Sequence, residues 1–291
     1  MEFSIILPTY NRLSQLKLAL LSIFKQDFDD YEVIVVDDGS TDGTDLYLNS
    51  MATPQLKLIR QQNKGPAAAR NAGIRLAQGK YIVFTDDDCM VPPNWLSSFK
   101  KYFESIAVNI IGGAVTNSIK NNIYSEVSQH VTNFFVEYLN RGRISSPFLT
   151  SNNIAYRADV LKKVGGFDER FRKAGGEERA LNWKILSVGG KSVYAPEIVV
   201  EHGHVMDLSG FVRQQLNYGR GSFVLYKVAG KEFSSKIPKI PIAAHLRLSK
   251  SFFRGNIFLG VLKFILYIAA QKLVAIGFGL QALKKNNKLL I

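Results

Sequence analysis

The chain has 291 residues, of which 46% are hydrophobic, and a formal net charge of +13 at pH 7. This length and composition exclude a wholly disordered protein and allow one large α/β domain with an appendage. The positive charge suits a phosphate-rich partner. However, the basic residues are scattered without a long basic run, and the chain has no zinc-finger spacing, so we expect no binding to nucleic acid.

The cellular compartment is predicted from the cysteine content and the N-terminus. Cys89 is the only cysteine, so it cannot form an internal disulfide. The first residues lead directly into an apolar segment without a basic region or a cleavage site. We therefore expect a cytoplasmic protein.

Short apolar segments alternate with helical patterns in the first half. Four segments are short, rich in β-branched residues and bounded by turn residues, which predicts strands at residues 3–7, 32–36, 56–60 and 81–84. Apolar residues at helical spacing mark a helix at Leu13, Leu16, Leu20 and Phe24, and Pro66 suits the first turn of another. This alternation predicts a mostly parallel, Rossmann-like α/β sheet with helices on both faces.

Polar residues follow each of the four predicted strands, at residues 8–12, 37–40, 61–65 and 86–88. In open α/β sheets, ligands bind at the carboxyl ends of the strands. We therefore expect these segments to converge on one site. The segment 37–40, which includes Asp37 and Asp38, has two interpretations of equal weight. It is an ordinary turn, or its carboxylates accept hydrogen bonds from the N–H and O–H groups of a nucleotide.

Three consecutive carboxylates, Asp86, Asp87 and Asp88, follow the fourth strand. Like charges this close repel one another, and a divalent cation with oxygen ligands relieves that repulsion. Mn²⁺ or Mg²⁺ would suit carboxylates that lie next to a diphosphate. The alternative is a solvated acidic turn.

The C-terminal part differs in character from the rest. Residues 237–241 are typical of a linker, and residues 257–283 are strongly apolar but are interrupted by Lys263, Gln271, Lys272 and Gln281. Because a membrane-spanning helix needs about 20 apolar residues, a clean span is not expected. The pattern favours two shorter helices, docked on a membrane surface or on the domain, with a true span or an oligomer contact as further alternatives.

Six segments in order carry a family resemblance: SIILPTYNR at 4–12, VDDGSTDG at 36–43, NKGPAAARNAG at 63–73, DDD at 86–88, GGFD at 165–168 and GEE at 176–178. Over residues 3–221 the chain resembles the family 2 inverting glycosyltransferases. The resemblance implies a GT-A fold, with a nucleotide-sugar-binding half at 1–117 and an acceptor-binding half at 118–230. Residues 231–291 would then form a basic, apolar helical tail.

The resemblance also implies roles for particular side chains. Asp38 would contact the base, and Asp87 would lie near the ribose. Asp86 and Asp88 match the Asp-x-Asp pattern of the family, with Asp88 as the direct metal ligand. The remaining donor-site residues would be Pro8, Thr9, Tyr10 and Arg12 in the nucleotide pocket, and Lys64, Gly65 and Arg70 near the ribose or phosphate.

Catalysis in the family needs a base that deprotonates the acceptor hydroxyl. Glu178 would be this base, with Glu177 as the alternative because the family commonly has Glu-Asp at this place. Both could instead be helix N-terminal charges. We expect one of His202 and His204 to face the metal or diphosphate, and favour His202, although each could be a hydrogen-bonded structural histidine.

The predicted activity is the inverting transfer of one sugar from a nucleoside-diphosphate-sugar, most simply a UDP-sugar, to a hydroxyl of a saccharide or lipid-linked acceptor. The segment 214–221 lacks the Gln-x-x-Arg-Trp signature of processive relatives, which favours a single transfer. Polysaccharide or glycolipid biosynthesis would use such an enzyme. A non-catalytic nucleotide-sugar-binding protein is the alternative.

Overall fold

A computed structural model describes residues 1–51, 53–140, 148–236 and 240–287. The described strands are β1 (Phe3–Thr9), β2 (Tyr31–Asp37), β3 (Leu56–Arg60), β4 (Tyr81–Phe84), β5 (Cys89–Met90), β6 (Ile110–Asn117), β7 (Ile154–Arg157) and β8 (Ser192–His202). The described helices are α1 (Leu13–Ile23), α2 (Thr44–Ser50), α3 (Pro66–Leu76), α4 (Trp95–Ser105), α5 (Ile123–Asn140), α6 (Ala158–Lys163), α7 (Glu177–Ser187), α8 (Leu208–Lys236), α9 (Ile242–Phe252) and α10 (Ile257–Asn287).

The strands form one mixed sheet in the order β3-β2-β1-β4-β7-β6-β8-β5. The neighbours from β3 to β4 pair in parallel, as do β6 and β8. Strand β7 pairs antiparallel with both β4 and β6, and β5 pairs antiparallel with β8. The predicted α/β sheet is confirmed. Its larger parallel part, β1 to β4, corresponds to the four strands that the alternation of strands and helices predicts in the first half of the chain.

The sheet has an apolar core on each face. Phe3, Ile5 and Leu7 of β1 pack in the core that includes α1 and α4, whereas Ile6 packs in the core that includes α3 and α7. Successive side chains of a strand point to opposite faces, so a strand buried on both faces is apolar throughout. This explains why the predicted strands were recognisable as continuous apolar segments.

The predicted pair of short C-terminal helices is wrong, because α10 is one continuous helix from Ile257 to Asn287. Lys263 does not interrupt it, since lysine is a good helix former, and its ammonium group pairs with Glu126 of α5. Helix α10 packs against α8. At Gly277 a Cβ atom would lie only 2.2 Å from the carbonyl oxygen of Leu216, so the backbones meet where the residue has no side chain.

The outward face of α10 is apolar. Among the described residues one helix, Ile257–Lys284, is long and apolar enough to cross a membrane by length and composition, and 17% of its apolar stretch is buried. Phe258, Ile265 and Ile276 are each more than half exposed. This low burial distinguishes α10 from a core helix of a soluble domain. Of the predicted linker, residues 237–239 lie outside the described residues, and Ile240 and Pro241 precede α9.

Candidate functional site

A cavity of about 470 Å³ lies at the carboxyl ends of β1, β2 and β4. The predicted convergence of the polar strand ends is therefore observed. The predicted site residues that line the cavity are Pro8, Thr9, Tyr10, Arg12, Asp38, Gly65, Arg70, Asp86, Asp87, Asp88, Glu177, Glu178 and His202. Lys64 is exposed and does not line this cavity.

The acidic cluster is buried and paired, unlike a solvated turn. Asp87 is 4% exposed and Asp88 is 8% exposed. One guanidinium nitrogen of Arg12 lies 3.1 Å from Asp87 Oδ1 and 2.8 Å from Asp88 Oδ2. Thr9 Oγ1 also donates to Asp87 Oδ2 at 2.8 Å. A buried carboxylate needs such partners, because an unpaired charge away from water is costly.

The three charges at this point perturb one another. Burial opposes the charge of Arg12, but the attraction of Asp87 and Asp88 outweighs it and raises the pKa of the guanidinium. Burial raises the pKa of Asp87 to about 6, with Arg12 opposing the shift. For Asp88, burial acts in the same direction but is outweighed by hydrogen bonds from His202 and His204, which hold its pKa well below the usual range.

Both histidines after β8 reach the cluster. His202 Nε2 lies 3.3 Å from Asp88 Oδ1, and His204 Nδ1 lies 3.0 Å from Asp88 Oδ2. The expectation that only one of them faces the site is therefore wrong. Side chains two positions apart on an extended backbone share a face, which is the geometry of this segment.

The donor atoms around Asp88 fit a divalent cation. Ligand atoms of Asp88, Cys89 and His202 lie within 4.8 Å of one another. His202 Nδ1 donates to Gln129 Oε1 at 2.8 Å, so Nε2 either donates to Asp88 from a protonated ring or, in a neutral ring, directs its lone pair towards that carboxylate. Two facing acceptors require a proton or a cation between them. Burial raises the pKa of the Cys89 thiol, which leaves oxygen and imidazole nitrogen as the suitable ligands for Mn²⁺ or Mg²⁺.

Asp86, the other predicted ligand, does not belong to that group. Its Oδ1 accepts a hydrogen bond of 2.8 Å from Arg70, which also donates to Glu177 Oε1 at 2.9 Å. Arg70 is only 3% exposed. Burial opposes its charge, but Asp86 and Glu177 together raise the pKa of its guanidinium. Arg70 thus links the end of β4 to the start of α7.

Asp38 holds the loop that precedes α3. Its Oδ1 accepts hydrogen bonds from Gln61 Nε2 at 2.7 Å and from the backbone N–H of Lys64 at 2.9 Å, and its Oδ2 accepts one from Gly65 N–H at 2.8 Å. Lys64 therefore contributes to the site through its backbone. The carboxylate orders the rim of the cavity as well as lining it.

The two glutamates of α7 have different surroundings. Glu177 Oε1 is bound by Arg70, and its Oε2 accepts a hydrogen bond of 2.8 Å from Gly175 N–H. Glu178 has 12% of its side chain exposed, and its closest cation is Arg179 at 3.7 Å. Burial and the neighbouring charge of Glu177 raise the pKa of Glu178 to about 7. Of the two glutamates, Glu178 therefore has the pKa close to neutral, whereas both oxygens of Glu177 are engaged.

The second half supplies lining residues that were not predicted. Helix α5 presents a polar stripe of Ser125, Ser128, Gln129 and Thr132 to the cavity. The signal was available, because positions i, i+3, i+4 and i+7 share one face of a helix. Arg172, Lys173 and Tyr218 also line the cavity but follow no sequence pattern that would have revealed them.

Comparison with known proteins gives a consistent result. The family model described as glycosyl transferase family 2 matches residues 4–165. The pre-mycofactocin glycosyltransferase of Mycobacterium tuberculosis is 26% identical over 230 residues, which covers 75% of this chain and 46% of that protein. The glycosyltransferase AglE of Haloferax volcanii is 24% identical over 230 residues, which covers 77% of this chain and 73% of that protein. The chain thus spans about half the length of the mycobacterial relative.

Two solved structures share the fold. The mannosyltransferase PcManGT from Pyrobaculum calidifontis, solved with GDP-Man and Mn²⁺, superposes with a TM-score of 0.62 at 20% identity and covers 99% of this chain and 80% of its own. Residues 1–349 of S. aureus TarS, solved with UDP-GlcNAc, superpose with a TM-score of 0.56 at 16% identity and cover 99% of this chain and 92% of that chain.

Proposed function

This chain belongs to glycosyl transferase family 2, and from that membership we propose that it inverts the anomeric centre of a nucleoside-diphosphate-sugar while it transfers one sugar to an acceptor hydroxyl. The observation that carries the proposal is one cavity with a buried, cation-paired carboxylate cluster on one wall and Glu178 on another. The first would bind the donor, and the second would activate the acceptor.

Donor binding is assigned to the strand ends. Asp38 and the backbone that it orders would contact the base, Asp87 would lie near the ribose, and Arg12 would meet the phosphates. PcManGT binds GDP-Man and TarS binds UDP-GlcNAc, which supports a nucleotide-sugar donor here. A UDP-sugar is the simplest candidate.

A divalent cation, Mn²⁺ or Mg²⁺, would be held by Asp88 and His202, whose facing acceptor atoms need a positive charge between them. When bound, such an ion neutralises charge on the departing diphosphate. Asp86 would act indirectly, because Arg70 occupies its Oδ1. Gln129 would fix the ring of His202 through Nδ1, as outer partners of metal-binding histidines do.

Glu178 would act as the base. Its carboxylate takes the proton from the acceptor hydroxyl, and the oxygen forms a bond to the anomeric carbon as the bond from that carbon to the diphosphate oxygen breaks. Attack on the side opposite the leaving group inverts the configuration. Glu177 would instead position Arg70 and the Gly175 loop, because both of its oxygens are already engaged.

The acceptor would be a saccharide or a lipid-linked molecule of polysaccharide or glycolipid biosynthesis. The exposed apolar face of α10 and the excess of basic residues support a peripheral position on the cytoplasmic face of a membrane. Membrane contact would bring the site close to a lipid-linked substrate.

The test is a thermal-shift panel of UDP, GDP, dTDP and CDP, each with and without Mn²⁺. We expect one nucleotide to raise the Tm in a Mn²⁺-dependent way, since ligand at 100 times its Kd stabilises by about 2.7 kcal/mol. Asp88→Asn should lose the Mn²⁺-dependent part, whereas Asp159→Asn, an exposed aspartate of α6, should keep it.

Three outcomes would count against the proposal or a part of it. If no nucleotide raised the Tm, the assignment of the cavity as a donor site would be wrong. If the Mn²⁺-dependent rise in Tm persisted in Asp88→Asn, the assignment of Asp88 as a metal ligand would be wrong. A shift without any sugar transfer to a panel of acceptors would favour a nucleotide-sugar-binding protein over an enzyme.

A further inference from the structure

A second cavity, of about 250 Å³, adjoins the first on the side of Glu178. It lies among α5, α8 and α10 and the segment around Phe148. The two cavities share part of their lining, namely Ser128, Thr132, Thr150, Gly175, Glu178 and Tyr218. Glu178 therefore stands where the two cavities meet.

The second cavity differs from the first in its chemistry. Its walls include Val131, Phe135, Phe148, Phe211 and Val274, and these apolar groups form most of its surface, although charged and amide side chains such as Glu178, Arg179, Gln215 and Gln271 also line it. Mostly apolar walls with a few polar groups suit a ligand that has an aliphatic part.

Helix α5 contributes to both cavities. Of its polar stripe, Gln129 lines only the first cavity and Ser128 lines both, while Val127, Val131 and Phe135 line only the second. Positions i, i+4 and i+8 share a face, so one helix presents hydroxyl and amide groups to one side of Glu178 and aliphatic and aromatic groups to the other. An acceptor that occupies both cavities would therefore need a polar part and an apolar part.

The tail helix forms the opposite wall. A Cβ atom on Gly219 would lie 2.0 Å from the carbonyl oxygen of Val274, so α8 and α10 approach to backbone contact at the cavity. This contact fixes Val274 beside the cavity, while the outward face of the same helix is exposed and apolar. The apolar environment of the cavity is thus built by the element proposed to contact the membrane.

We propose that the second cavity binds an aliphatic chain carried by the acceptor, with the hydroxylated headgroup of the acceptor held beside Glu178 in the first cavity. This inference rests on the proposed function, because the second cavity can hold part of the acceptor only if the first cavity binds the donor sugar and Glu178 activates the acceptor. It narrows the acceptor class from saccharides in general to glycolipids with a chain close to the reacting hydroxyl.

The experiment measures binding of alkyl β-glucosides with chains of two to eight carbons by isothermal titration calorimetry, below their micelle-forming concentrations. Glucose is the chain-free reference. We expect the Kd to fall by roughly four-fold for each methylene that enters the cavity, which corresponds to the transfer of a methylene from water. The fall should then level off when the cavity is full.

Cavity variants separate this site from the exposed face of α10. Val274→Phe fills the cavity and should abolish the dependence on chain length, while Ile276→Phe, on the outward face two residues along the same helix, should leave it intact. Phe135→Ala enlarges the cavity and should move the plateau to longer chains. Retention of the Mn²⁺-dependent nucleotide shift shows that each variant is folded.

Failure of the inference and failure of the proposed function give different results. If nucleotide binds but chain length has no effect on Kd, the aliphatic site is overturned and the donor site stands. If chain-length dependence persists unchanged in Val274→Phe, the chain binds elsewhere and the inference is also overturned. If no nucleotide binds, the proposed function is wrong. The chain-length series then still shows whether the second cavity binds an aliphatic chain, and Tm and circular dichroism check that each variant is folded.

Discussion

The charged wall of the first cavity, formed by Arg12, Arg70, the three aspartates 86–88 and the glutamates 177 and 178, contrasts with helices α9 and α10. In the wall, Arg70, Asp87, Asp88 and Glu177 are buried, and nearly every carboxylate contacts a cation or a hydrogen-bond donor. In the two helices, large apolar side chains such as Phe258 and Ile242 are exposed. Each arrangement is unfavourable in isolation, which indicates that each serves binding rather than stability.

The comparison predicts opposite responses to substitution. Removal of one charge from the wall leaves a partner buried and unpaired, so stability and catalysis change strongly. A substitution on the outward face of α10 removes no internal partner, so it should change association with other molecules and leave the fold intact. The following predictions test this contrast, starting with the largest effect.

Glu178→Gln should lose the most activity. The amide cannot accept the proton of the acceptor hydroxyl, so kcat should fall by about 10²–10⁴-fold while donor KM changes little. Steady-state kinetics with the identified donor would measure both. Glu177→Gln is the matched comparison, and a larger loss of kcat there, with donor binding intact, would transfer the role of base to Glu177.

Arg70→Ala should cost about 3–5 kcal/mol of unfolding free energy, because it leaves Asp86 and buried Glu177 without their shared cation. Denaturant unfolding would measure the loss. Arg170→Ala is the control, since the side chain of Arg170 is 68% exposed in its pair with Asp168 and such pairs contribute at most about 1 kcal/mol. Equal costs for the two variants would contradict the contrast between buried and surface charge.

The charge of Glu178 should also make stability depend on pH. Its pKa is raised from 4.5 to about 7 in the folded protein, so the unfolded chain releases this proton first as the pH rises. The contribution of Glu178 to stability should therefore decline between about pH 4.5 and pH 7, by roughly 3 kcal/mol.

Glu178→Gln removes that decline. The variant should have the same unfolding free energy as the parent near pH 4.5 and a higher one above pH 7, measured by denaturant titration across the range. A constant difference between the two proteins at all pH values would show that folding does not shift the pKa of Glu178.

Gly277→Ala should loosen the tail from the domain. The new Cβ atom would meet the Leu216 carbonyl, so we expect a loss of about 1–3 kcal/mol in unfolding free energy. Gly279→Ala has no atom within 4 Å of its added Cβ and should stabilise the helix by about 0.5–1 kcal/mol. A gain of stability in both variants would mean that helix propensity, not backbone contact, governs this region.

The smallest predicted effect concerns membrane contact. Phe258→Glu combined with Ile265→Glu should weaken co-sedimentation with vesicles that contain an anionic phospholipid by about ten-fold or more, without a change in Tm. Leu46→Glu, at an exposed leucine of α2, should bind vesicles like the parent. Equal binding by all three proteins would leave the face of α10 without a membrane role.

Prediction from the sequence was most complete where structure is local. The strands that became β1 to β4 and the proline at the start of α3 were assigned within two residues, because buried parallel strands have apolar residues at successive positions and helix starts have characteristic residues. The acidic cluster and the glutamates of α7 were also identified in advance. Their roles stay predictions until the variants are measured.

Prediction was weakest where distant segments meet. Lys263 of α10 pairs with Glu126, which lies 137 residues away in the chain. The contact of both histidines with Asp88 depends on pairing between β5 and β8. Neither relationship leaves a periodic trace in the chain.

The sequence by itself thus determined the parallel half of the sheet, the family and the carboxylates at the strand ends, since these depend on residue type and on spacing along the chain. Only the tertiary structure decided how the two glutamates differ, because Arg70 and Gly175 engage both oxygens of Glu177, whereas Glu178 has only Arg179 at 3.7 Å as a cation and lines both cavities. The apolar cavity beside Glu178 was likewise decided by helix packing, since its walls come from segments more than 100 residues apart whose proximity depends on backbone contact between α8 and α10.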